Sequence, residues 1–128
     1  AYRLAFDKIV ATLKMMKERG ILIIPGTDLG GEFKLHRELE LYQLLGYTPG
    51  ELLKLSTYDM AKYLGHKDRG SIEPAMLADF FLIPNDPTKD LKAIKTISMI
   101  SRGGVIYYPS EIYPAFGIKP FFQKPSVK

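Results

Sequence analysis

Apolar side chains recur at helical spacing from the start of the chain. Tyr2, Phe6, Ile9, Leu13 and Met16 fall on one stripe, while Lys8, Lys14, Lys17 and Glu18 lie largely off it. Gly20 follows, at the position where helices commonly stop. The stripe reads as a core-facing surface. The pattern then changes: residues 21–24 are Ile-Leu-Ile-Ile, an unbroken apolar run between Gly20 and Pro25. Such a run is expected of a strand buried on both faces, as in a parallel sheet covered by helices. It leads through Gly26 and Thr27 to a carboxylate, Asp28, and then to the glycine-rich Leu29-Gly30-Gly31. Helix, glycine turn and buried strand are half of a βαβ repeat.

Helical periodicity returns over 35–45, with Leu35, Leu39, Tyr42 and Leu45 on one face and Gly46 closing it. Thr48-Pro49-Gly50-Glu51 has the form of a helix start: a capping threonine, a proline in the first helical position and a glutamate completing a capping box. That helix is expected to run to Leu64, burying Leu53, Thr57, Met60 and Leu64, and to stop at Gly65. Beyond Gly65 the pattern becomes extended. Residues 69–74 read as a turn and short strand, and 78–83 as a strand ended by Pro84-Asn85-Asp86-Pro87. Residues 89–94 suggest one helical turn. Segments 96–101 and 105–108 flank Arg102-Gly103-Gly104 as a hairpin. The prolines at 109, 114, 120 and 125 read as an extended arm. The resulting division is 1–66, helix-rich around one strand, 67–108, a small β segment, and 109–128, a proline-rich tail.

Composition narrows the class. The chain has 128 residues, 46% hydrophobic and 25% charged, with a formal charge of +4, which suits one globular domain. Its lysines and arginines are scattered among acids, with no basic run interleaved with aromatics, so nucleic-acid binding is not expected. Cysteine is absent, which removes disulfides, thiolate metal sites and a cysteine nucleophile. No apolar stretch approaches the roughly 20 residues of a membrane span. Ala1 opens within an amphipathic pattern, and the expectation is that the natural start lies upstream.

A fully apolar strand cannot stand alone, because each buried, unpaired backbone N–H or C=O costs about 1–3 kcal/mol. Its neighbours must be the later strands, missing sequence, or other copies of the chain. Asp28 has two readings. A carboxylate at the carboxyl end of a strand in a parallel barrel sits where catalysis occurs; the same residue can cap a turn as an ordinary Asx group. Gly26, Gly30 and Gly31 could form a phosphate nest, but the Gly-Lys-Ser/Thr ending of a P-loop is missing. His36 opens the second helix near this loop and is a candidate substrate contact or a surface histidine; His66 lies in a turn and reads as solvated.

From Gly20 to Tyr108 the sequence resembles the C-terminal portion of the amidohydrolase superfamily, the metal-dependent hydrolases of the imidazolonepropionase and prolidase kind. The matching pieces, in the family's order and spacing, begin with Ile24-Pro25-Gly26-Thr27-Asp28 and His36-Arg37-Glu38-Leu39-Glu40-Leu41. They continue with Thr48-Pro49-Gly50-Glu51-Leu52-Leu53, Ser56-Thr57 and Ala61-Lys62-Tyr63-Leu64-Gly65. Then come Asp68-Arg69-Gly70-Ser71-Ile72-Glu73-Pro74, Leu77-Ala78-Asp79, Asp86-Pro87 and Gly103-Gly104-Val105-Ile106-Tyr107. Where the family has Gly-Lys before Leu77, this chain has Ala75-Met76.

The resemblance implies an α/β fold: the last helix-strand-helix units of a (β/α)8 TIM-type barrel plus part of a small β-sandwich, with 21–25 as the eighth barrel strand and Asp79 as a structural residue of the sandwich. It implies that Asp28 is both a metal ligand and the catalytic group that takes a proton from the attacking water. The cofactor implied is a divalent metal, zinc above all, in the complete enzyme. The family's His-x-His pair, modified lysine and further strand-end histidines have no counterpart here. The chain is then part of an enzyme whose barrel needs roughly 200 residues or more. Catalytic zinc uses about three protein ligands, so tight metal binding and activity are not expected of this chain by itself. The function implied is hydrolysis of a C–N bond in a small amide, cyclic amide or dipeptide. The alternative is a non-catalytic folding or association module that oligomerises by strand sharing.

Overall fold

Helix α1, Tyr2–Glu18, stops where the glycine predicts. In this computed structural model, which describes residues 2–28 and 34–124, Gly20 adopts φ +73°, a left-handed backbone that penalises any residue with a Cβ. Its N–H donates to the Lys17 carbonyl at 2.9 Å and the Ile21 N–H to the Met16 carbonyl at 3.1 Å. This pair of bonds is the Schellman cap. Helix α2, Lys34–Tyr42, continues as a 3-10 turn, Gln43–Leu45.

Helix α3, Pro49–Lys54, opens with the expected capping box. The Glu51 N–H donates to Thr48 Oγ1 at 3.3 Å and the Thr48 N–H to Glu51 Oε2 at 2.7 Å. A π turn, Leu55–Asp59, joins it to α4, Met60–Tyr63. The side chains explain the wider turn. Ser56 Oγ donates to the Leu52 carbonyl at 2.8 Å and Thr57 Oγ1 to the Leu53 carbonyl at 2.6 Å, so hydroxyls compete for acceptors that backbone N–H groups would otherwise hold. A 3-10 turn, Leu91–Lys95, begins at Asp90, whose side chain accepts from the Lys92 N–H.

Three strands, β1 (Phe80–Leu82), β2 (Met99–Arg102) and β3 (Val105–Tyr107), form an antiparallel meander in that order. Phe80 pairs with Ser101, and Ser101 with Ile106. The β2–β3 loop is Gly103-Gly104, both at positive φ (+57° and +79°), as a two-residue type I′ hairpin requires. Asp79 fastens this turn, accepting from the Gly103 N–H at 2.8 Å.

The core gathers Leu39, Tyr42 and Leu45 from α2 and its extension, Leu52 and Leu55 from α3 and the π turn, and Leu91 and Ile94 from the 3-10 turn. Val10, Leu13 and Ile23 pack at its margin.

Several expectations are corrected. The α1 stripe meets the core only at its C-terminal end, through Leu13: Tyr2, Phe6 and Ile9 are exposed and α1 buries no residue fully. Residues 21–24 join no ladder, and Ile21 and Leu22 are 46% and 52% exposed. The described ladders are all antiparallel, as expected of the β segment with its hairpin, and no parallel neighbour for 21–25 is among the described residues. The buried face over 49–63 is Leu52, Leu55 and Ala61; of the residues expected there, Leu53 packs at the core margin while Thr57 and Leu64 are exposed. Residues 69–74 contain turns and bends but no strand. Residues 109–116 are not an extended arm. They form α5, Pro109–Ile112, and a 3-10 turn, Tyr113–Phe116. Pro109 and Pro114 stand at the starts of these turns, where a missing N–H is harmless. Gly30 and Gly31 lie outside the described residues, as does Pro125.

Candidate functional site

The segment that ends in Asp28 is held from two directions. Behind it, the cap at Gly20 fixes its exit from α1. Beside it, Tyr42 of α2 reaches across, its hydroxyl donating to the Ile24 carbonyl at 2.9 Å. Burial pushes the Tyr42 phenol up to about 12, so the hydroxyl keeps its proton and stays a donor through the ordinary pH range. Pro25 is buried, and Thr27 is half-buried. Asp28 is exposed and takes φ +50°, a left-handed backbone that aspartate tolerates better than most residues. The carboxylate therefore stands at the open end of an anchored, extended segment.

His36 sits in the first turn of α2, half-buried against the Leu91–Lys95 turn, with a hydrogen bond to the Ile94 backbone. Burial pushes its imidazole below the usual value of 6.5. The Ile94 bond opposes that shift, the charge of Lys95 adds to it, and the charge of Glu40 opposes it. Glu40, one turn further along α2, accepts from Arg37 Nη1 at 2.9 Å and pairs with Lys95 Nζ. The hydrogen bonds from Lys95 and then Arg37 hold its carboxyl below the usual 4.5. This polar group ties α2 to the 3-10 turn. His66, in the turn after α4, is exposed as expected.

Two grooves of about 320 and 240 Å³ flank Leu22 and Asp59. Asp28 and His36 line neither. The lysines there are engaged: Lys17 donates to the Gly46 carbonyl at 2.6 Å and lies 4.2 Å over the Tyr47 ring, Lys54 pairs with Asp59, and Lys62 lies 5.8 Å over the Tyr58 ring. The described contacts thus place Asp28 at a segment end and His36 in a helix-packing seam, and none joins the two.

No protein-family model matches the chain, and no curated protein matches it. Solved structures do. A structure from Bifidobacterium longum assigned as a prolidase is 31% identical, with a TM-score of 0.69 over 77% of this chain and 26% of that one. A Xaa-Pro dipeptidase solved with methionine in its active site is 26% identical, with a TM-score of 0.71 over 78% of this chain and 25% of that one. An amidohydrolase is 24% identical, with a TM-score of 0.65 over 77% and 25%. The chain has an amidohydrolase-like fold. It spans about a quarter of the length of the solved structures it matches.

An amidohydrolase-like fold raises the question of a metal. Among the described residues no group of three or more His, Cys, Asp or Glu side chains is gathered as a metal would need. Asp28 offers one exposed carboxylate, and a catalytic zinc takes about three protein ligands. The described residues do not fit a metal centre by themselves. Among them, no helix is long and apolar enough to cross a membrane.

Three features of this region escape the sequence pattern: the Tyr42 anchor, the Glu40 link to Lys95, and the Asp79 clasp on the hairpin. The first had a signal. A tyrosine in a stripe otherwise made of leucines must find a partner for its hydroxyl when buried. Glu40 and Lys95 lie far apart in sequence, and no local rule pairs them.

Proposed function

We propose that the chain is the C-terminal portion of a metal-dependent amidohydrolase that cleaves a C–N bond, with a dipeptide as the favoured substrate class. The supporting observation is the likeness to a Xaa-Pro dipeptidase and to a structure assigned as a prolidase, together with Asp28 at the end of the anchored segment. In this reading residues 21–25 are a barrel strand whose neighbours lie outside the described residues, which accounts for an apolar segment that joins no ladder. Residues 1–66 are then barrel, 67–108 a sandwich segment and 109–128 a tail. Asp28 is the catalytic carboxylate, placed to orient a water and accept its proton. His36, given its place in the packing seam, contributes to substrate contact only through the α2 end that it steadies. A divalent ion in the complete enzyme, zinc being the first choice, would draw ligands besides Asp28 from outside the described residues.

Asp28→Asn in the complete polypeptide should lower dipeptide hydrolysis by at least about a hundredfold, the low end for a lost general base. Full activity in that variant would refute the assignment. Zinc titrated into the 128-residue chain should show no stoichiometric heat, and tight binding at a ratio of one would contradict the ligand count.

A second reading rests on the same unpaired segment. Exposed Ile21 and Leu22 could be covered by another copy, making the chain an association module. Light scattering after size-exclusion chromatography separates the two: a monodisperse monomer would exclude strand sharing.

A further inference from the structure

We propose that Tyr42 is a positioning residue for Asp28, a role that rests on the reading of Asp28 as the catalytic carboxylate. The hydroxyl spans eighteen positions of sequence to reach the Ile24 carbonyl at 2.9 Å. Its use differs from that of the hydroxyls in the π turn. Ser56 and Thr57 bond back to their own helix, whereas Tyr42 bonds to the segment that carries the acid.

The bond falls where it decides the path of the chain. A strand continues in a sheet only while its carbonyls and N–H groups face partners. At Ile24 the tyrosine already occupies the carbonyl, and the next residue, Pro25, has no N–H to give. The segment joins no ladder, so this side-chain bond fastens it at Ile24, and the backbone from Gly26 onward is free to turn. It does turn: Asp28 sits at φ +50°. A residue in that region keeps its geometry when its surroundings hold it there. Pro25 is buried, and Tyr42 is itself immobilised, 8% exposed within the core cluster and with its ring 6.0 Å from that of Tyr47. The tyrosine thus transmits the rigid position of α2 to a point four residues before the carboxylate. Phenylalanine would fill the same space without that connection.

The test has a dynamic and a kinetic arm. In the 128-residue chain, nitrogen-15 relaxation should give order parameters near about 0.85 at Gly26, Thr27 and Asp28, falling below about 0.6 in Tyr42→Phe while Leu52 and Leu91 stay rigid. Replacing Tyr42 by 4-aminophenylalanine, which keeps a donor, should restore the order. In the complete polypeptide, Tyr42→Phe should lower kcat by about tenfold or more with KM nearly unchanged, because misplacement by an ångström can cost about a hundredfold. Wild-type order parameters already below about 0.6, or values unmoved by Tyr42→Phe, would overturn the proposal. So would an unchanged kcat in a Tyr42→Phe enzyme whose Asp28→Asn counterpart is inactive. If Asp28→Asn remains active, the catalytic reading of Asp28 falls, and Tyr42's positioning of a catalytic group falls with it, while the loss of order in Tyr42→Phe would still establish the anchor.

Discussion

His36 and Glu40 share one face of α2 but respond to different pH ranges. The folded-state pKa of His36 lies below the unfolded 6.5, so the unfolded chain takes up the proton first. The stabilisation is complete above about pH 6.5 and declines as pH falls toward the folded value. For Glu40 the folded pKa lies below 4.5, so its contribution is present above that pH and lost as pH drops through the folded value. Urea midpoints measured from about pH 3 to 8 should show two separate declines, and His36→Gln should remove the upper one only. A profile unchanged by His36→Gln would mean that His36 titrates alike in both states. None of this was visible in the sequence beyond the presence of a histidine near a helix start. The desolvation comes from a turn more than fifty positions later.

At the level of elements, the π turn and the loop after α4 determine each other. Gly70 has φ +100°, and a Cβ there would lie 2.8 Å from Ala61 Cβ, 3.1 Å from Tyr58 Cα and 3.2 Å from the Thr57 carbonyl oxygen. Two of those three neighbours are backbone atoms that cannot swing aside. Gly70→Ala combines an overpacked contact with a left-handed backbone, and should destabilise the chain by about 2–4 kcal/mol in urea unfolding. A change within about 0.5 kcal/mol, the range of an ordinary surface substitution, would show that loop and helix are not in contact in solution. The elements whose signals are local were legible: the capping box at Thr48 and Glu51, the glycine stop of α1, and the Gly103-Gly104 hairpin. From Leu55 onward the helix face was misread because helical periodicity assumes a regular helix, and hydroxyl competition at Ser56 and Thr57 widened one turn.

Across the whole molecule, packing is uneven. Leu52 and Leu91 are 0% and 1% exposed, while Tyr2, Ile21, Leu22, Phe81 and Val105 leave large apolar surfaces open. Leu52→Ala should cost about 2–5 kcal/mol, as for other fully buried leucines. The amides of Leu22 and Ile23, which join no ladder, should exchange with solvent far faster than that of Leu52, since local opening there disrupts little packing. Equal protection would reveal a partner for the segment, either another copy or an alternative pairing within the chain.

The sequence by itself determined the local grammar: where α1 stops, how α3 starts, how the hairpin turns, and which carboxylate ends the apolar run. These depend on neighbours a few residues apart, and backbone sterics and short-range hydrogen bonds enforce them wherever the chain goes. Only the tertiary structure decided which apolar residues are covered. The Ile21–Leu22 pair looks as buried as any core strand when read alone, yet it stands half-open because burial is a property of what packs against a residue. The same holds for the polar contacts. Tyr42 meets Ile24, and Glu40 meets Lys95, because folding brings separated elements together, and no periodicity in the chain encodes that meeting.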